Sequence, residues 1–309
     1  MSAEPLAFLN SEFLPYSQAK LSLHDAGFVF GATVTDYCRT FSHKLFRWSD
    51  HLARFRRDCT ICYIPLTFSD EQLTITAAEL IEHNAKIVGS NRELALITFA
   101  TPGEIGYFVG QPGAAGDSPP TVGMHTMPLS RKRYRGYFEH GIDLVAFTRD
   151  REITHLPRVK HRSRMHWWLA ERWFKTYSEC PAGAIAISED PKVGLLDTAI
   201  GSILLIRNGH VLYPHKLSIL DGITLRVIEE ICENLEIPVE SDHLTRQCYE
   251  MADEAILVGS AFGIAPVRSI QSNGFVKTFA PERPIFERLL KAFSDLVGVD
   301  IRADFLSNP

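Results

Sequence analysis

Residues 102–120, "PGEIGYFVGQPGAAGDSPP", interrupt the chain more firmly than any other stretch. Nine of the nineteen positions are glycine or proline, so the stretch holds no regular helix or central strand. Elements before it must close by Thr101, and those after it start again at "TVGMHTM". A structureless segment this long in a compact protein is characteristic of a lid or an interface arm.

Before the interruption, "AFLNSEFLP" reads as a hairpin about Asn10-Ser11, and "TVTDYCRTFSHKLFRW" as two extended pieces turning near Ser42-His43-Lys44. Ser49 can cap a helix that runs to about Tyr63. Ser69 and Gln72 have capping-box spacing for a second helix, ending near Val88. "ELALITFAT" is a strongly apolar strand. Hairpins mixed with helices predict an α+β domain over 1–128. The polar, basic "PLSRKRYRGYFEHG" predicts an interdomain linker at 129–138, leaving a second domain at 139–309. There, strand "IDLVAF" precedes a helix near 163–178. Strand "GAIAIS", the run "VGLLDTAIGSILLI", the "RNGH" hairpin signal and "VLYP" follow. Later come a helix after "ILDGIT", two strands in "EAILVGSAFGIAPVRSI" and a closing amphipathic helix with Phe286, Leu289, Leu290 and Phe293 on one face.

Composition narrows the function. A net charge of -5 over 309 residues argues against a general nucleic-acid binder, despite basic clusters at 131–135 and 158–164. Residues 1–20 lack a signal pattern and no apolar run is long enough to span a bilayer, so the cytoplasm is expected and no membrane partner is. Six scattered cysteines are too few for a disulfide scaffold. Cys59 and Cys62 form a C-x-x-C, but they share a helical pattern with Leu52 and Phe55 and read as a buried face. With no second cysteine pair and no histidine ligand spacing, no metal is expected. His24, His51 and His161 read as structural or polar-surface residues.

"HLPRVKHRSRMHWW", residues 155–168, sets Lys160 among Arg158, His161, Arg162 and Arg164. The cluster suits a nucleic-acid patch, a solvated helix start, or a working amine whose charge its neighbours suppress. Three features favour the last. "DGIT" opens a helix whose free N–H groups at Ile223 and Thr224 suit an anion, though a plain helix cap accounts for it too. "VGSAF" is a small-residue bend where Ser260 and backbone donors could complete a phosphate cradle, or merely a bulge. Asp197 interrupts an apolar run and needs a partner, unless it only ends a strand. Lysine, carboxylate and phosphate donors together meet the needs of pyridoxal phosphate.

The chain resembles the fold type IV pyridoxal-phosphate enzymes, the class IV aminotransferases, a family that includes branched-chain and D-amino-acid aminotransferases and aminodeoxychorismate lyase. The resemblance rests on "HDAGFVFGATVTDYCRTFSHKLFRWSDHLARF", "PRVKHRS", "GLLDTAIGSILLIRNGHVLYP", "SILDGITLRVIEE" and "DEAILVGSAFGIAPV", in the family's order. It implies an N-terminal α+β domain and a C-terminal pseudo-barrel. It also implies pyridoxal 5'-phosphate as cofactor, an amino acid and a 2-oxo acid as substrates, and a homodimer in which the 102–120 loop is a candidate arm. Lys160 matches the Schiff-base lysine, which also moves the substrate proton. Arg54 matches the phosphate-binding arginine of the His-Leu-x-Arg helix, Ile223 and Thr224 the phosphate donors, and Leu220 an apolar residue packed on the ring. Ser260 stands for the usual threonine, and Ala261 offers an N–H to a substrate carboxylate. Asp197 replaces the usual glutamate, one methylene shorter. Thr35 replaces an aromatic pocket residue and Ser163 an asparagine, and "ITFATPG" lacks the arginine of the D-amino-acid enzymes. The resemblance implies a transaminase, with a lyase or a non-catalytic relative as alternatives.

Overall fold

The structure, a computed structural model, describes residues 4–89, 92–106, 118–148, 158–174, 176, 181 and 183–307. The chain divides into two compact units, Met1–Leu129 with Val159–Arg164, and Ser130–Arg158 with Met165–Pro309.

The first unit is a six-stranded antiparallel sheet with helices on one face. Its strands are β1 (Leu6–Leu9), β2 (Glu12–Pro15), β3 (Val34–Phe41), β4 (Lys44–Leu45), β5 (Leu94–Thr101) and β6 (Thr121–Pro128), in the order β2-β1-β6-β5-β3-β4. Two-residue turns at Asn10-Ser11 and Ser42-His43 both carry positive φ, the geometry whose twist matches antiparallel strands. The short α1 (Ala26–Val29) precedes β3. Helix α2 (Trp48–Ile61) and α3 (Asp70–Val88) follow β4, and Ser69 and Gln72 form the capping box of α3. Leu52, Phe55, Leu73, Ala77 and Leu80 from these helices pack on Val34, Leu96, Ala100, Val122 and Met124. The "Asp-x-Gly" opening has a steric cause. Asp25 caps α1 at Gly27 N (2.7 Å) and accepts the Thr101 and Thr121 hydroxyls. A Cβ on Gly27 would lie 2.4 Å from Thr101 Cγ2 and 2.6 Å from Thr33 Oγ1.

The second unit opens with a helix, α4 (Arg131–His140), capped by Ser130. This corrects the expected linker at 129–138: the basic residues lie on a helix whose Tyr134 is buried against Phe262 and Phe305. Strand β7 (Ile142–Thr148) is followed by α5 (Met165–Phe174); residues 175, 177 and 178 of the helix expected near 163–178 lie outside the described residues. Then come β8 (Ile185–Asp190), β9 (Gly194–Thr198), β10 (Ser202–Arg207) and β11 (His210–Pro214). Helix α6 (Ile223–Asn234), β12 (Val239–Asp242), α7 (Arg246–Glu250), β13 (Glu254–Gly259), β14 (Gly263–Ser272) and β15 (Phe275–Thr278) precede α8 (Pro284–Val297) and α9 (Ile301–Leu306). The ring β10-β13-β14-β7-β8-β9 returns to β10, which gives the barrel expected for this half. It closes as a pinched ring because β10 shares one edge between two strands. Its first residue, Ser202, pairs with Asp197 of β9, and its far end pairs with β11. Among the described residues no helix is long and apolar enough to cross a membrane.

Candidate functional site

In the first unit, the Lys160 segment is laid against β3 by main-chain bonds. Thr35 N–H donates to Lys160 O (2.8 Å), Arg162 N–H donates to Thr33 O (2.9 Å), and His161 bridges Val34. The Lys160 N–H itself donates to Asp58 Oδ2 at 2.8 Å. Asp58 lies on α2, almost wholly buried, and its other oxygen accepts from Arg57. Ser163 donates its hydroxyl to Gly31 O at 2.6 Å. The lysine's backbone is therefore fixed at both carbonyl and amide.

Beside it lies a buried charge cluster. Asp36 accepts from Arg54 Nε (3.0 Å) and Nη2 (2.6 Å) and contacts His51 Nδ1 at 2.5 Å. All three residues are 3% exposed or less, so their charges act through little water. Burial alone would raise the Asp36 carboxyl. The charges of Arg54, His51 and Lys160 overcome it and hold Asp36 well below the usual carboxylate range. Arg54 thus offers a guanidinium oriented by a two-point clamp.

The sequence reading singled out Arg54 and took His51 as structural or polar-surface. It passed over Asp36 and Asp58. Both carried a signal. Asp36 alternates with buried Val34 and Cys38 on β3, and Asp58 shares the helical stripe of His51, Arg54 and Phe55 on α2. Thr35 is buried, and its hydroxyl donates to Thr98 O at 3.1 Å. Cys59 and Cys62 end the same helix, and burial raises both thiols.

In the second unit the remaining candidates gather where the barrel closes. Asp197 Oδ1 accepts from the Ser202 hydroxyl (3.1 Å) and Oδ2 from Leu220 N–H (2.7 Å). That second bond brings the chain leading into α6 against the β9–β10 seam. Helix α6 starts at Gly222 with no side-chain cap, and both Ile223 and Thr224 are buried. A position for a Cβ on Gly222 lies 3.7 Å from Ser202 Oγ, which ties the helix start to the same seam. Ser260 and Ala261 form the tight turn from β13 to β14, closed by Phe262 N–H to Gly259 O at 3.2 Å. Gly201 packs under this turn, since a Cβ there would lie 2.3 Å from Val258 O. Asp197, Leu220, Ile223, Thr224, Ser260 and Ala261 thus share one end of the barrel. Residues 107–117 of the candidate arm lie outside the described residues. No group of three or more metal-ligating side chains occurs among the described residues.

The first unit thus carries a main-chain-anchored lysine and a clamped arginine, and the second a seam carboxylate beside an uncapped helix start. The family model "Amino-transferase class IV" matches residues 33–270. A D-alanine aminotransferase from Staphylococcus aureus (strain COL) is 26% identical over 295 residues, covering 94% of this chain and 97% of that protein. A branched-chain amino acid aminotransferase from Escherichia coli superposes with a TM-score of 0.77 at 21% identity, over 96% of this chain and 95% of that one. A 4-amino-4-deoxychorismate lyase from Pseudomonas aeruginosa shares the fold with a TM-score of 0.72 at 19% identity, over 94% and 98%. The chain belongs to the class IV aminotransferases and is an enzyme of that class.

Proposed function

We propose that this enzyme uses pyridoxal 5'-phosphate to move an amino group between an amino acid and a 2-oxo acid, with Lys160 as the catalytic amine. The observation that carries the reading is the pinning of Lys160 by Asp58 and Thr35 beside the Asp36–Arg54 clamp. The main-chain anchoring holds the lysine in one place, and the charge of its amine reaches the buried Asp36.

The residues present fit the cofactor. The buried, uncapped start of α6 leaves main-chain donors with no side-chain acceptor, an arrangement that favours an anion such as a phosphate. Ile223 and Thr224 would hold the phosphate there, with Ser260 adding a hydroxyl and Arg54 its clamped guanidinium. Leu220 would pack on the ring. Asp197, fixed by Ser202 and Leu220, would keep the ring nitrogen protonated by its negative charge. When bound, the cofactor supplies an electron sink for the bond broken at the substrate α-carbon. Lys160 Nζ takes the proton from that carbon and returns it. Ala261 N–H would meet the substrate carboxylate, and Thr35 would border the substrate side.

We place the enzyme in the cytoplasm, and as a homodimer. Exposed Leu23, Phe28 and Phe30 on the first unit, and exposed Met165, Trp168 and Leu169 on α5, support self-association. Light scattering during gel filtration tests the dimer. The function is tested by colour and product. The purified protein should absorb in the visible, lose that band on borohydride reduction, and place labelled amino nitrogen on an added 2-oxo acid. A protein that stays colourless with added cofactor overturns the reading. So does pyruvate release from aminodeoxychorismate with no amino acceptor, which would make the enzyme a lyase.

A further inference from the structure

The first unit contains a cavity of about 390 Å³ whose contents the reading above does not use. Its walls are mostly apolar: Leu9 of β1, Ala19, Leu21, Phe28 and Phe99 of β5. Its polar lining is small and one-sided. Arg162, His125, Tyr16 and Thr33 face it, and among the described residues no carboxylate does. The volume falls in the range of pockets that take small organic ligands, which typically combine apolar walls with few polar groups.

Two groups, Arg162 and His125, define the polar end. Arg162 lines the wall two residues past Lys160, with its main chain bonded to Thr33. Its side chain is exposed, so the guanidinium is open to a ligand arriving from solvent. His125 Nδ1 is enclosed by protein and has no hydrogen-bond partner there. The His125 ring stands 5.7 Å from that of Tyr16, so both polar side chains sit together. Burial holds His125 below its usual range, opposed by the Thr126 main chain and helped by the charge of Arg162, which favours the neutral imidazole. The polar end therefore carries one positive charge, from Arg162. An unpartnered imidazole nitrogen enclosed in a folded protein is costly, on the order of 1–3 kcal/mol. A ligand that accepts from both groups would remove that cost. The group matching a single guanidinium and one neighbouring donor is a carboxylate, which takes arginine's paired N–H bonds with both oxygens.

We propose that this cavity binds an organic monocarboxylate with an aliphatic or aromatic body, the carboxylate paired to Arg162 and bonded to His125, the body against Leu21, Phe28 and Phe99. The site stands on the cavity itself and requires no turnover. The same chemistry could be presented by a substrate or by a separate ligand, and the test separates the two.

The test is calorimetric titration of the full-length protein as purified with 3-phenylpropionate, against its neutral amide, 3-phenylpropionamide. The acid should bind at least tenfold more tightly than the amide. Arg162→Gln should remove that preference, and Arg162→Lys should keep part of it. Ala19→Phe, which fills the cavity and leaves Arg162 in place, should abolish binding, with melting curves confirming the fold of each variant. Competition of the acid with the amino substrate marks the substrate as its source; undisturbed turnover marks a separate ligand. Equal binding of acid and amide, or acid binding unchanged in Arg162→Gln or Ala19→Phe, overturns the proposal. Because binding is read without turnover, a negative result here leaves the colour and product tests above intact.

Discussion

Asp36→Asn isolates the charge cluster behind Lys160. The amide keeps the shape and one acceptor, but it removes the negative charge that Arg54 meets at two points and His51 at a third. Arg54 is 3% exposed and cannot turn to water. Deleting one partner of a buried pair typically costs about 3–5 kcal/mol, and the retained acceptor puts the expectation near 3 kcal/mol. That is a large share of the roughly 5–15 kcal/mol that holds a domain folded. At about 2–4 °C per kcal/mol, the melting point should fall by about 6–12 °C at pH 7. The pH dependence has a definite sign. Asp36 is held below its usual range in the fold, so its contribution is present above the unfolded carboxylate value, near 3.9, and fades as pH falls towards the lower folded value. From neutral pH down to about pH 5 the gap between parent and variant stays constant. At pH 3 it should have shrunk by about 1 kcal/mol. Urea unfolding across pH 3–7, followed by tryptophan fluorescence, measures both quantities. A variant within 1 kcal/mol of the parent at pH 7, or a gap that does not narrow at pH 3, refutes the reasoning.

Lys160→Ala should abolish the borohydride-sensitive visible band and all turnover while melting within about 1 kcal/mol of the parent, because Asp58 and Thr35 hold main-chain atoms that alanine keeps. Asp197→Asn should retain the band but slow the single-turnover half-reaction about 100-fold or more, some 2.7 kcal/mol of lost stabilisation; a rate within threefold of the parent would show that the carboxylate does not reach the ring nitrogen. Gly27→Ala should destabilise the first unit by about 1–3 kcal/mol in the same urea assay, since its methyl has no room beside Thr101 and Thr33. Cys59 should resist thiol reagents until the protein unfolds, burial having raised its pKa; labelling in the native state would show that the end of α2 opens.

What the sequence made legible was local order. The capping box at Ser69, the Asn10-Ser11 turn and the start of α6 are each written within a few neighbouring residues, and each was read where it lies. The linker was misread because "SRKRYRG" looks polar along the chain, whereas on α4 its single buried ring, Tyr134, meets Phe262 and Phe305 from far along the sequence. The same limit hid Asp36 and Asp58. Their periodicity marks each as buried, but only the fold supplies the partner, Arg54 eighteen positions away and the Lys160 amide 102 positions away.

The grouping of Val159–Arg164 with the first unit was equally illegible, since it rests on a few main-chain bonds and one isolated bridge, with no periodicity to announce it. Yet that illegible contact is what gives the legible lysine its meaning. Asp58 and Thr35 bind only the amide and carbonyl of residue 160, which every amino acid but proline supplies. Those two bonds therefore do not by themselves select the side chain there. That the position carries an amine, beside a carboxylate whose ionisation the amine helps to secure, is the feature on which the proposed chemistry rests, and Lys160→Ala separates its part in catalysis from its part in holding Asp36 ionised.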